Sequence, residues 1–434
     1  MQQPTTPTPP TELQRLTRWL KIFTAARVAC DPQKLLLVVI AVLLVAMGDA
    51  ALHWLPYVPA DATAPHWPWI LSMGFEHPVL RPVEHLIEII RPLIQLGQSA
   101  GTAAWSFLRL TWFLCVWAVF GGAITRMAAF KIARDETLGF PTALKYSLRR
   151  FRDYMTAPLL AVAGIGVFWL LCMLGGVFAR IPWVGEYLVA AFWILPLLAG
   201  VCMAAILVAF VVGWPFTYIT ISAQGSDGFE AFSRSLNYIF SQPWRYLFHW
   251  LLALFHGGVI IWVAMFLLGL TVQMTAWAVG SGIGSDAVRE IISSGPADIV
   301  GSDFLPETSE DLTIIDGEPA PVSGSARVAG FWLYVVTSIV VSFAISYFWS
   351  AATVNYFLIR RVEDGVEFEE VFLETAVDEA DLALAGVAAS DVPAAERPAR
   401  RSIEPEQPAE PDGADSVEGG ANDESAESGG PPSG

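Results

Sequence analysis

Long apolar runs, separated by short stretches of charge, set the pattern of this chain. Six runs, at about 35–55, 102–124, 157–179, 187–213, 247–279 and 329–358, are long enough to cross a membrane, which takes roughly 20 residues as helix. Between the second and third runs the pattern changes. Phe140, Leu144, Leu148, Phe151 and Met155 recur at helical spacing and line one face, while Lys145, Arg149 and Arg152 line another with Arg150 beside them. The stretch Phe130–Pro158 therefore predicts a basic amphipathic helix, with Pro141 in its first turn and Pro158 marking the break before the next run. Such a helix is expected in the headgroup plane, with Lys145, Arg149, Arg150 and Arg152 against anionic lipid. A solvated helix packed on its own bundle is the plainer alternative.

The remaining connections are read the same way. Residues 1–34 form an N-terminal amphipathic segment, with a helix over Thr11–Ala29 opened by capping-box spacing at Thr11 and Gln14 and ended at Asp31-Pro32. Leu13, Leu16, Leu20 and Phe23 give it an apolar stripe. A cleaved signal peptide is the alternative, but the charged region is long and the run is of spanning length, so a retained span is expected. Outer loops are assigned to 56–101 and 280–327. Tyr187–Ile221 is too long for one perpendicular crossing, with Pro196 and Pro215 as candidate kinks. A short charged helix is expected over 359–375, and 376–434 is an Ala/Pro/Glu/Gly/Ser-rich tail expected to stay disordered.

One polar stripe runs toward the membrane. Glu84, Glu88, Arg91, Gln95 and Gln98 keep helical spacing, and the register continues to Thr102 and Arg109 inside the second run. An ionisable residue at that depth faces protein, water or the interface rather than lipid tails. Asp49 lies at a similar depth in the first run, so an intramembrane ion pair Asp49–Arg109 is one expectation. The other is that both side chains snorkel to the surface.

Composition sharpens the class. Charged residues make up 15% of the chain, against roughly 25% in soluble proteins. The net charge of −17 is segregated, because 376–434 holds 14 acids and 3 arginines, which leaves −11 there. Cations gather before the first run (Arg15, Arg18, Lys21, Arg27, Lys34) and between the second and third. The positive-inside rule then puts both termini in the cytoplasm. Cys30, Cys115, Cys172 and Cys202 lie in or beside apolar runs, so no disulfide framework is expected.

Catalytic signatures are missing from the sequence: there is no Walker loop, no GxGxxG after a strand, no HExxH and no GxSxG. His249 and His256 share a helical face but have no second pair within the runs, so packing roles are expected. Glu76-His77, Glu84-His85 and Glu88, and the acids Glu307, Glu310 and Asp311, read as solvated faces rather than metal sites. No cofactor, metal or nucleic acid is expected. The glycines Gly121, Gly122, Gly164, Gly166, Gly175, Gly176, Gly257 and Gly258 read as sites of close helix packing, with hinges as the alternative.

The connector recurs. Gly139-Phe140, Ala143, Ser147-Leu148 and Pro158 are matched by Gly228-Phe229, Ala231, Ser235-Leu236 and Pro243, and Glu363, Asp364 and Phe368 echo Asp135, Glu136 and Phe140. All copies lie on one side of the runs, the mark of a parallel repeat. Over about residues 100–260 this pattern resembles the broad group of bacterial polytopic membrane proteins that includes the membrane region fused to some glycerophosphodiester phosphodiesterases. The resemblance implies an all-helical inner-membrane bundle. It implies no catalysis, since the phosphodiesterase chemistry belongs to a separate domain.

The expected fold is thus an all-α, six-span bundle with amphipathic connectors in parallel repeats and an acidic tail. The expected function is that of a non-enzymatic scaffold or assembly factor, with membrane lipids and tail-binding proteins as partners. The alternative is a permease or lipid-handling transporter using the polar stripe along 84–109.

Overall fold

A chain this apolar has to satisfy its backbone N–H and C=O groups internally, and helix does so within each segment. The computed structural model describes residues 18–53, 79–95, 97, 99–293, 314–315, 318–319, 324–366 and 370–372. A 3₁₀ stretch, Arg18–Phe23, leads into α1 (Thr24–Ala29) and α2 (Pro32–His53). Then come α3 (Arg81–Ile94), α4 (Ala100–Arg134), α5 (Phe140–Arg149), α6 (Phe151–Phe178), α7 (Gly185–Ala191) and α8 (Ile194–Gln224). The order closes with α9 (Gly228–Ser241), α10 (Pro243–Ile283), α11 (Ser285–Ser293) and α12 (Gly324–Glu363). A two-residue antiparallel ladder, β1 (Ile314–Ile315) with β2 (Glu318–Pro319), precedes α12.

Six helices, α2, α4, α6, α8, α10 and α12, are long and apolar enough to cross a membrane. The chain is a multi-pass membrane protein of all-α class, as its apolar runs predict. The tail, 376–434, and the first 17 residues with their capping-box pair lie outside the described residues.

Several local expectations are corrected. The connector is not one helix: α5 stops at Arg149, Arg150 turns the chain, and α6 starts at Phe151. Phe151 and Met155 therefore belong to the next element. Pro158 sits inside α6, buried in its second turn, and breaks nothing. The buried face of α5 is Ala143, Tyr146 and Ser147, while Leu148 faces out. The N-terminal stripe shifts likewise, because Ile22, Ala25 and Ala29 are buried whereas Leu20 and Phe23 are exposed. The fourth run divides into α7 and α8 at a turn over Phe192-Trp193, and α8 then passes through Pro215 unbroken. Beyond α12, the described residues 364–366 and 370–372 are not helical.

The centre of the bundle is aromatic. Trp214 packs edge-on to Trp349 at 5.3 Å between centroids, and Tyr218 stacks on Trp349 at 5.8 Å. Trp117 and Phe113 extend the cluster along α4. Glycines let bulky rings approach. A Cβ on Gly257 would lie 2.3 Å from the Tyr347 ring, and one on Gly122 would lie 2.5 Å from Ser147 Oγ. Gly166, Gly175, Gly176 and Gly258 face open space instead, so close packing accounts for only some of the expected glycines.

Burial is uneven. Of the most apolar 18-residue window of α4, 56% is buried within the protein, against 17% in α6 and 6% in α8. The α6–α8 hairpin packs on the bundle only near the end carrying α5 and α9, termed here the connector end. There Tyr154, Ala157 and Ala161 of α6 and Phe210–Ala223 of α8 are largely buried.

The connector end is also where polar groups concentrate. Ser222 Oγ shares hydrogen bonds with Thr125 Oγ1 at 2.7 Å and Tyr154 OH at 2.8 Å. Arg126, almost fully buried, donates to the Ser222 carbonyl and lies over the rings of Tyr146 (4.2 Å) and Phe130 (4.5 Å). Tyr146 OH donates to the Ile221 carbonyl at 2.7 Å. Asp135 after α4, Gly225 after α8 and Gly365 after α12 all take left-handed backbone angles, with φ of 54, 66 and 69.

Candidate functional site

At the end of the bundle away from the connectors, α3 packs against α4. Its sequence is amphipathic, and Pro82, His85, Leu86, Ile89 and Ile90 form the buried face. Glu88 and Arg91 fall on the opposite, exposed face. The stripe read from Glu84 to Arg109 is not continuous. α3 ends at Ile94, Gln95 is extended (ψ 135), and Gly97 has φ +85, so the register restarts at α4. Glu88 and Arg91 therefore do not line an interior, and Gln98 lies outside the described residues.

Asp49 and Arg109 do meet. Arg109 Nε donates to Asp49 Oδ1 at 3.0 Å and Nη2 to Oδ2 at 2.8 Å, a two-pronged pair joining α2 to α4. The Asp49 side chain is 2% exposed and that of Arg109 19%. The guanidinium also lies 4.8 Å from the centroid of the Trp105 ring. Trp105 in turn packs edge-on to His53, whose Nδ1 donates to the Asp49 carbonyl at 2.8 Å. A carboxylate this buried is tolerated because both oxygens are bonded by one planar donor group.

One helical turn along from the pair is a small cavity walled by Val42 and Val45 of α2, Arg81, Pro82 and His85 of α3, Phe113 and Trp117 of α4, and Val341 and Ile345 of α12. About 20 Å³ of it is open to the centre of a water molecule, enough for a single water. His85 packs on the Phe113 ring at 5.3 Å, and burial pushes its imidazole below the ordinary histidine range. Its Nδ1 is 3.5 Å from Glu88 Oε2. Chemically the arrangement is an ion pair whose partners satisfy each other, with a small, largely apolar cavity one helical turn away.

The connector cations are placed differently from one another. Lys145, Arg149 and Arg152 are exposed. Arg150, at the turn between α5 and α6, bonds Asp153 at 3.1 Å. The exposed Leu148 and Phe140 accompany them. Among the described residues no three His, Cys, Asp or Glu side chains cluster as a metal site would need. His249 pairs with Asn355 Oδ1 at 2.8 Å and His256 with Tyr347 OH at 3.0 Å, both across the α10–α12 seam. Glu76, His77, Glu307, Glu310 and Asp311 lie outside the described residues.

Sequence reading missed the Arg126 network. Its signal is faint: one arginine at the end of a run, with Thr125 beside it and Ser222 far along the chain. The four cysteines are free. No family model matches this chain, and neither does any curated protein or solved structure.

Proposed function

We propose that this protein is a non-enzymatic membrane scaffold or assembly factor, which recruits protein partners through its acidic tail. The supporting observation is the filled interior. Between α4, α8 and α12 the space is taken by Trp117, Trp214, Tyr218 and Trp349, and the cavity lined by His85, Phe113 and Trp117 is no larger than about one water. A permease needs a hydrated path with polar groups that open toward substrate, whereas this ion pair is closed on itself. The permease reading retains one point in its favour, the buried charge of Asp49.

In this reading the protein sits in an inner membrane with the connector end cytoplasmic, because Lys145, Arg149, Arg152 and the N-terminal cations gather there. The connectors are copies of one unit within a group similar to the membrane regions named above. Ser147 of α5 and Ser235 of α9 are both fully buried, and both face a glycine of the preceding span, Gly122 and Gly213. Anionic lipid is the expected companion of Lys145, Arg149 and Arg152.

Affinity purification from membranes, comparing the full chain with a chain ending at Thr375, tests the proposal. Proteins that co-purify with the full chain and vanish from the truncation are the expected result. An unchanged set of partners would remove the tail from the scaffold role. Uptake of a solute into proteoliposomes, lost on Asp49→Asn, would replace the scaffold reading by the permease.

A further inference from the structure

Three residues after the spans return to the bundle. The backbone N–H of Phe372 donates to the Ala223 carbonyl at 2.9 Å. Arg126 Nη2 donates to the Phe372 carbonyl at 2.7 Å, and Arg360 Nη1 donates to the Glu370 carbonyl at 2.9 Å. The Phe372 ring covers the left-handed Gly225, where a Cβ would sit 2.6 Å from it. Val371 packs against the core. Glu370–Phe372 is thus gripped by α4 through Arg126, by α8 through Ala223 and Gly225, and by α12 through Arg360.

We propose that Glu370–Phe372 is a latch that joins the ends of these three spans into one two-state element and governs the root of the acidic tail. Its grip has a particular form. The strap supplies mainly backbone groups, and the clamps are two arginines from different spans. In the sequence only Leu373, Glu374 and Thr375 stand between the latch and the tail at 376–434. A partner drawn onto the first tail residues either seats or unseats the latch, and in unseating it loosens α4, α8 and α12 together. This functional sense rests on the tail being a recruiting segment; the latch itself does not.

Hydrogen–deuterium exchange of the full chain in lipid nanodiscs tests it, with one variant opening the latch from each span. Arg126→Gln acts from α4, Gly225→Ala from α8 and Arg360→Gln from α12. The Gly225 change combines a positive φ with a clash against Phe372. All three are expected to speed exchange of the Phe372 amide at least tenfold, and to raise exchange in the last turns of α8 and α12 to the same pattern. Three different local patterns, each confined to its own span, would overturn the latch. Slow Phe372 exchange in all three variants would do the same. Gly258→Ala, at an open position on α10, controls for non-specific loosening, and a chain ending at Thr375 separates the latch from the tail. The latch signature is expected to persist in that truncated chain even if no partner is lost with the tail.

Discussion

Replacing Arg109 by methionine strands the most buried carboxylate of the described structure. Asp49 is 2% exposed, and its two oxygens take their bonds from Arg109 at 3.0 and 2.8 Å. Breaking a buried ion pair by removing one partner costs about 3–5 kcal/mol, and R109M belongs near the upper part of that range. The reverse change, D49N, leaves Arg109 with 19% exposure and the Trp105 face. The cation can reach toward water and keeps an aromatic contact of about 0.5–2 kcal/mol, so D49N is expected to cost only about 1–2 kcal/mol after that discount. The double variant D49N/R109M removes both charges and should lie close to D49N alone, since neutral replacements of buried pairs are often tolerated. The assay is reversible unfolding in mixed micelles, followed by the tryptophan signal as denaturing detergent is titrated. Single-variant losses that simply add in the double, within about 0.5 kcal/mol, would show that the two residues act independently. Equal losses for R109M and D49N would refute the burial argument that ranks them. The charge-reversed D49R/R109D should recover part of the R109M loss.

Three further outcomes are expected. Gly257→Ala places a methyl 2.3 Å from the Tyr347 ring and should cost about 1–3 kcal/mol, while Gly258→Ala beside it faces open space and should stay within about 0.5 kcal/mol in the same assay. His85 is held below its ordinary pKa by burial, so its contribution to stability is complete above the unfolded value of about 6.5 and shrinks as pH falls below it; unfolding midpoints taken between about pH 7.5 and 5.5 should fall less for His85→Leu than for the wild type. The triple change K145Q/R149Q/R152Q should strip anionic lipid from the purified protein, at about 1 kcal/mol per cation, whereas Arg150→Gln should change retention least because Arg150 already bonds Asp153; native mass spectrometry of co-purified lipid reads both.

The crossings were legible because hydropathy over some 20 residues is a strong signal. Which side of each crossing faces protein was not. In water an apolar face means core, but in lipid both faces are apolar. Leu20, Phe23 and Leu148 read as apolar stripes and are exposed, while Ser147, Thr125 and Arg126 are buried. Asp49 and Arg109 were legible as a pair because charge at depth is rare and seeks charge. The stripe between them misled, since its spacing carries on through Pro92 and Gly97, and it is at Gly97, a residue suited to ending a helix, that the backbone turns. The strap at Phe372 has no local signature, because the bonds that hold it are long-range and use its backbone.

The unequal burial of the spans bears on how the chain enters a membrane. The α6–α8 hairpin is apolar on nearly every side and leans little on its neighbours. Two such helices can partition together as a finished unit. α4 and α12 carry Arg109, Arg126, Asn355 and Arg360, whose partners arrive from α2, α8, α10 and the strap. The order of synthesis then differs from the order of settling: α4 emerges before the hairpin but waits for it, and for Phe372, before its arginines are at rest. Late-arriving residues thereby become the proofreaders of an early span.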